Sequence, residues 1–169
     1  LQTVADPKQG VENLPGSTFA VAGQGKAALW ANELVKLLDG QVLNIKPLAK
    51  PLYHAAAVVA SNYMVALIDA ALVMMSKAGV SESQGRKALE PLVLAAVSNA
   101  FSRSPVAALT GPIQRGDGQT LAAHLTALKA LPESVQGLYR AMGHHTVQLA
   151  RRRGLPKAQA TRLVKLLEG

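Results

Sequence analysis

Lys50, His54, Ser61, Asn62 and Asp69 punctuate an otherwise oily run at residues 50–77, KPLYHAAAVVASNYMVALIDAALVMMSK. On a helical wheel of about 100° per residue with His54 at zero, Lys50 lies at about −40° and Ser61 at about −20°. Asp69 and Asn62 follow at about 60° and 80°. The five therefore form one polar seam. A lysine and a histidine one turn apart can polarise a carbonyl group or relay a proton. Lys50 and His54 are the acid/base candidates, with Ser61 and Asn62 placed to orient a substrate. The competing reading is that these groups satisfy one another inside a helical bundle.

A second constellation is the loop at residues 109–117, LTGPIQRGD. Loops rich in Gly and Pro that carry Thr, Arg and Asp are common binding elements. Arg115 can hold a carboxylate or phosphate through two parallel hydrogen bonds. Thr110 and Asp117 complete this candidate substrate-binding set, and His124 follows one helix later, placed to face the same loop. The competing reading is an Arg115–Asp117 pair that merely pins the loop. Residues 23–28, GQGKAA, match the G-x-G-x-x-A form of a dinucleotide-phosphate loop. A plain strand-to-helix turn explains them equally, and Asn44, not an acidic residue, lies near the end of the next strand. His144 and His145 are neighbours and point apart on a helix. No His-x-x-x-His spacing or carboxylate pair is present, so no metal site is expected.

The elements that must position these residues follow from periodicity. Residues 1–17 read as loop. Strands at 18–22 and 41–45 flank a helix at 26–38 that Gly40 stops, a β-α-β unit with parallel strands. Two parallel strands want a larger sheet beside them. From Pro47 onward only helices are expected, the first running unbroken over 50–77 to Gly79. A helix apolar on every face is a core helix or a membrane span. Ser81 and Gln84 form a capping box for the next helix, which Pro91 kinks or divides. Residues 102–119 read as a loop with a helical piece at 106–109. Helices follow at 120–128, from Pro132 to Gly154, and at 156–167.

Composition narrows the class. Hydrophobic residues make up 49% of the 169 and charged ones 17%, as in a compact folded chain. Aromatics are only 4%, so the core is built from Ala, Leu and Val, which favours helix-on-helix packing. The absence of Cys excludes disulfides, Cys zinc sites and thiol nucleophiles. A net charge of +8 attracts anions. It is concentrated in Arg151, Arg152, Arg153, Lys157, Arg162 and Lys165, which read as a solvated face. Without interleaved aromatics in that cluster, nucleic acid is not an expected partner. Asp69 would cost about 2.5–3.5 kcal/mol at bilayer depth, so no membrane partner is expected. The opening LQTVADPKQG has neither the basic start nor the apolar run of a signal peptide, and the expected location is cytoplasmic. It also lacks an initiator Met, as in a fragment or a processed form.

The stretches K-x-L-Y-H-A-A-A-V-x-A-S-N-Y from Lys50 and L-T-G-P-I-x-R-G-D ending at Asp117 resemble a bacterial family. Its members have a Rossmann-like NAD(P) domain followed by a helical domain of unknown function. That helical domain is similar to the C-terminal domain of 6-phosphogluconate dehydrogenase and its β-hydroxyacid dehydrogenase relatives. The resemblance covers essentially the whole chain. It implies a mostly α fold, with residues 1–46 the C-terminal remnant of a Rossmann domain and 47–169 a helical substrate-binding and dimerisation domain. It places Leu1, Gln2 and Thr3 in the loop after a middle strand, with Gln2 and Thr3 as cofactor-binding candidates. The glycine-rich phosphate loop would then lie upstream, and residues 23–28 would fall late in the domain. NAD(P) is implied for the full-length protein, and tight binding to this chain alone is not expected. The related dehydrogenases carry K-x-x-x-N where this chain has Lys50-x-x-x-His54. The implied function is the substrate-binding and dimerisation region of an NAD(P)-dependent oxidoreductase, acting on a small molecule as a homodimer. The alternative is a non-catalytic helical interaction or regulatory module with the same fold.

Overall fold

The computed structural model describes residues 6–169, so the candidates Gln2 and Thr3 lie outside the described residues. The chain is mostly α with a β-α-β start. It divides into two compact units, one ending at Leu67 and the other spanning Ile68–Gly169. Each is described by itself. The change from mixed to purely helical structure comes earlier, after β2.

In the first unit, residues read as loop contain a helix, α1, Pro7–Glu12. Asp6 caps it, its carboxylate accepting from the Lys8 amide at 2.7 Å and the Gln9 amide at 3.3 Å. Pro7 stands in the first turn, where a missing donor costs nothing. Strand β1, Thr18–Ala22, then pairs in parallel with β2, Gln41–Ile45, Thr18 opposite Gln41 and Ala22 opposite Ile45. Helix α2, Gly25–Leu37, connects them. It ends in a Schellman motif: the Asp39 amide donates to Lys36 O at 3.0 Å and the Gly40 amide to Val35 O at 2.9 Å. The left-handed residue is Asp39, with φ of 52°. Gly40 serves a different need, since a Cβ there would lie 2.6 Å from the Phe19 ring.

The expected single helix over 50–77 is two. A 3-10 turn, Pro47–Ala49, leads into α3, Lys50–Ala60, and α4, Asn62–Lys77, follows after a break at Ser61. Ser61 has φ −119° and ψ −72°. Its hydroxyl lies 2.8 Å from Ala57 O and 2.9 Å from Asn62 Oδ1, and its one hydrogen serves either acceptor. A serine that bonds back to the carbonyl four residues earlier bends helices. Nor is this run a buried core rod. No residue of α3 is buried and Ala70 alone is buried on α4, while Leu52 is 76% exposed. By length and composition alone, the helical run Pro47–Lys77 is long enough and apolar enough to cross a membrane.

The second unit holds the core. Gly79, with φ of 88°, ends α4, and the Ser81–Gln84 capping box opens α5, Glu82–Arg103. Pro91 does not divide α5, which is helical throughout. Gly85 is buried because α4 passes close: a Cβ there would lie 3.0 Å from Leu72 Cδ2. Short helices α6, Pro105–Ala108, and α7, Pro112–Arg115, occupy much of the expected loop. Then come α8, Gly118–Leu128, α9, Glu133–Arg152, and α10, Lys157–Glu168. Ile113, Leu121, Val147, Leu155, Leu163 and Leu167 pack together with Ala150 and Ala160 as the core cluster of α7–α10. Gly143 lets α10 lie against α9, since a Cβ there would meet Leu167 Cδ2 at 2.6 Å.

Candidate functional site

Lys50 and His54 remain one turn apart on α3 and therefore share a face. Both side chains are exposed, and neither forms a hydrogen bond or ion pair with a described residue. Beyond them the seam changes character. The break at Ser61 interrupts the wheel, so Asn62 and Asp69 take their directions from α4, not from α3. Ser61 is half-buried and bonded to its own helix end and to Asn62.

Thr110, Arg115, Asp117 and His124 belong to the second unit. Gly111, with φ of 98°, turns the chain from Thr110 into α7. Thr110 and Arg115 are exposed, and neither side chain hydrogen-bonds to a described residue, although the Arg115 amide donates to Gly111 O at 3.2 Å. Asp117 has a defined structural task as the N-cap of α8. Its Oδ1 accepts from the Thr120 amide at 3.0 Å and its Oδ2 from the Thr120 hydroxyl at 2.6 Å. These two bonds, with the hydroxyl's the larger, hold the carboxyl below the ordinary aspartate range despite partial desolvation. The positive charge of Arg115 adds to the effect from a distance, and the Gln119 backbone amide adds a smaller hydrogen-bonding contribution. Arg115 and Asp117 do not form an ion pair within 4 Å. Among the described residues that distance is met by Arg86 and Glu82, at 3.5 Å.

His124 takes a partner that spacing along the sequence does not suggest. Its Nδ1 lies 2.8 Å from the Tyr139 hydroxyl on α9, with the rings edge to face and centroids 6.1 Å apart. Burial raises the Tyr139 pKa, so the phenol keeps its proton. The two side chains line a pocket together with Lys77 of α4. The only advance signal was a tyrosine and a histidine on adjacent helices, 15 residues apart.

Part of the basic cluster is committed to the fold. Arg153 donates to the carbonyls of Ala107, at 2.8 Å, and Leu109, at the C-terminal end of α6. Arg151 donates to Leu155 O, and Arg140 to Leu167 O at 2.6 Å, near the end of α10. Cations at helix C-termini satisfy orphan carbonyls and complement the macrodipole. Among the described residues no group of His, Asp and Glu is arranged to hold a metal ion.

No curated protein and no solved structure matches this chain. Residues 17–146, from the start of β1 into α9, match a family whose description is Domain of unknown function (DUF2520). That match runs through the β-α-β start, the broken apolar helix with Lys50 and His54, and the Thr110–Arg115 loop. The chain therefore belongs to the DUF2520 family.

Proposed function

We propose that this chain is the substrate-facing and dimerisation region of an NAD(P)-dependent oxidoreductase of the β-hydroxyacid dehydrogenase type. What supports the reading is one juxtaposition. A parallel β-α-β unit runs directly into helices, and the first of these carries Lys50 and His54 one turn apart, exposed and unengaged. Parallel strands are built to sit inside larger, two-faced sheets, and dinucleotides bind at the C-terminal edge of such sheets. A substrate carbonyl held between Lys50 and His54 would be polarised by the ammonium group, while the imidazole gives or takes the proton. The cofactor's phosphate-binding turn would come from a glycine-rich βα unit in the full-length protein.

The test is a nicotinamide-fluorescence titration of the complete gene product with NADH and NADPH, run beside the 169-residue chain. Saturable micromolar binding by the complete product and only weak binding by the chain is the expected result. His54→Ala is expected to keep cofactor binding and abolish turnover of a hydroxyacid panel. Absence of dinucleotide binding by the complete product would overturn the reading. A helical interaction module is the second reading. It is favoured by one observation: the oxygens of Ser61 and Asp117 are already occupied by neighbouring groups of the chain.

A further inference from the structure

Helices α4, α8 and α9 line a pocket of about 380 Å³ that belongs wholly to the second unit. Met74, Leu128, Leu131 and the Tyr139 ring give it apolar walls. Pockets for small ligands have this composition, mainly apolar with a few polar groups that fix orientation. Here those groups are Lys77, His124 and the Tyr139 hydroxyl. No carboxylate is among the lining residues. The Lys77 side chain is exposed and makes neither an ion pair nor a hydrogen bond with a described residue, so no carboxylate pairs with its charge.

The histidine–tyrosine contact sets which hydrogens are available. In the tautomer in which the phenol donates to His124 Nδ1 across 2.8 Å, the imidazole hydrogen is on Nε2 and is available to donate. An ammonium group and an N–H donor beside apolar walls select against cations and against purely polar molecules. At about 30 Å³ per water-sized group, the volume accommodates about a dozen non-hydrogen atoms. We propose that this pocket binds a small monocarboxylate with a hydrocarbon tail. The carboxylate is held by Lys77 and His124, and the tail lies against Met74, Leu128 and Leu131. Tyr139 is a positioning residue that fixes the imidazole tautomer. The proposal uses neither Lys50 nor His54 and stands apart from the oxidoreductase reading.

The test uses octanoate and octan-1-ol as probes, followed by calorimetry and by amide shift mapping in two-dimensional NMR. Octanoate is expected to bind saturably, one per chain, with shifts concentrated at residues 74–78, 124–131 and 139. Octanol is expected to bind at least about tenfold more weakly, the usual scale for losing a charge-assisted hydrogen bond. Lys77→Met is expected to erase that preference, and Lys77→Arg to retain most of it. Ala127→Trp, which fills the pocket from an exposed wall position, is expected to abolish binding of both probes while circular dichroism stays unchanged. Equal affinity for the two probes would overturn the proposal. So would shifts spread over α3 and α5 instead of the pocket, an unchanged preference in Lys77→Met, or no saturable binding of octanoate. Because no variant touches α3, failure here leaves the dinucleotide titration unaffected, and failure there leaves this result unaffected.

Discussion

Asp117 shows how a residue of catalytic type can be absorbed by local structure. Its carboxylate caps α8, and both Thr120 bonds favour the ionised form. A depressed pKa stabilises the fold above the unfolded-state value of about 3.9. That contribution is lost as pH falls through the lower folded-state value. Asp117→Asn keeps a capping oxygen but loses the charge. Urea unfolding is therefore expected to find the variant less stable at neutral pH, with the difference shrinking steadily below about pH 4. A constant difference across that range would show that ionisation is not the cause. Ser61 is the opposite case, a residue whose hydroxyl opens a helix. Ser61→Ala removes the bond to Ala57 O and exchanges serine for the best helix former. It is expected to join α3 to α4 and raise stability by about 0.5 kcal/mol, read by amide chemical shifts around residue 61 and by thermal melting.

Among the elements, α9 contains its own control experiment. A Cβ at Gly143 would meet the fully buried Leu167, whereas at Gly137 nothing lies within 4 Å. Gly137→Ala is expected to stabilise by up to about 1 kcal/mol through helix propensity. Gly143→Ala gains the same propensity, but overpacking costs about 1–3 kcal/mol, so a net loss of about 1 kcal/mol is expected in chemical denaturation. Elements with strong local signals were legible in the sequence. Turn residues bracket β1 and β2, and the Ser81–Gln84 box announces α5. Helix α1 was missed although Asp6-Pro7 is a cap followed by a first-turn proline. The segment is six residues long and has no apolar face to advertise it. Helix α7 is shorter still, four residues between two glycines of positive φ. The break at Ser61 carries no Gly or Pro. It depends on a hydroxyl's choice of acceptor, which hydrophobic periodicity does not encode. The Lys50–His54 spacing was legible because it is local to one turn. The His124–Tyr139 contact was not, because it depends on how α8 packs on α9.

At the scale of the whole molecule, apolar residues are unevenly distributed between core and surface. The core cluster is confined to α7–α10, while Leu48 is 96% exposed, Phe101 88% and Leu37 84%. Large apolar side chains this exposed, in each unit taken by itself, are the physical motive for the homodimer proposed above. Light scattering at micromolar concentration is expected to give twice the chain mass of 17.7 kDa; a stable monomer would remove that part of the proposal. The arginine fasteners carry a consequence of another kind, concerning the order in which the chain opens. Arg153 reaches back 44 residues to Leu109 and 46 to Ala107. Closing a loop of that length carries an entropic cost that the contacts between α6 and α9 must offset. Elements with few buried residues are among the first to open, and α6 has none while α9 buries Gly143, Val147 and Ala150. Hydrogen exchange is thus expected to release the amides of α6 before those of α9, and Arg153→Met to widen that gap without altering protection around Leu163.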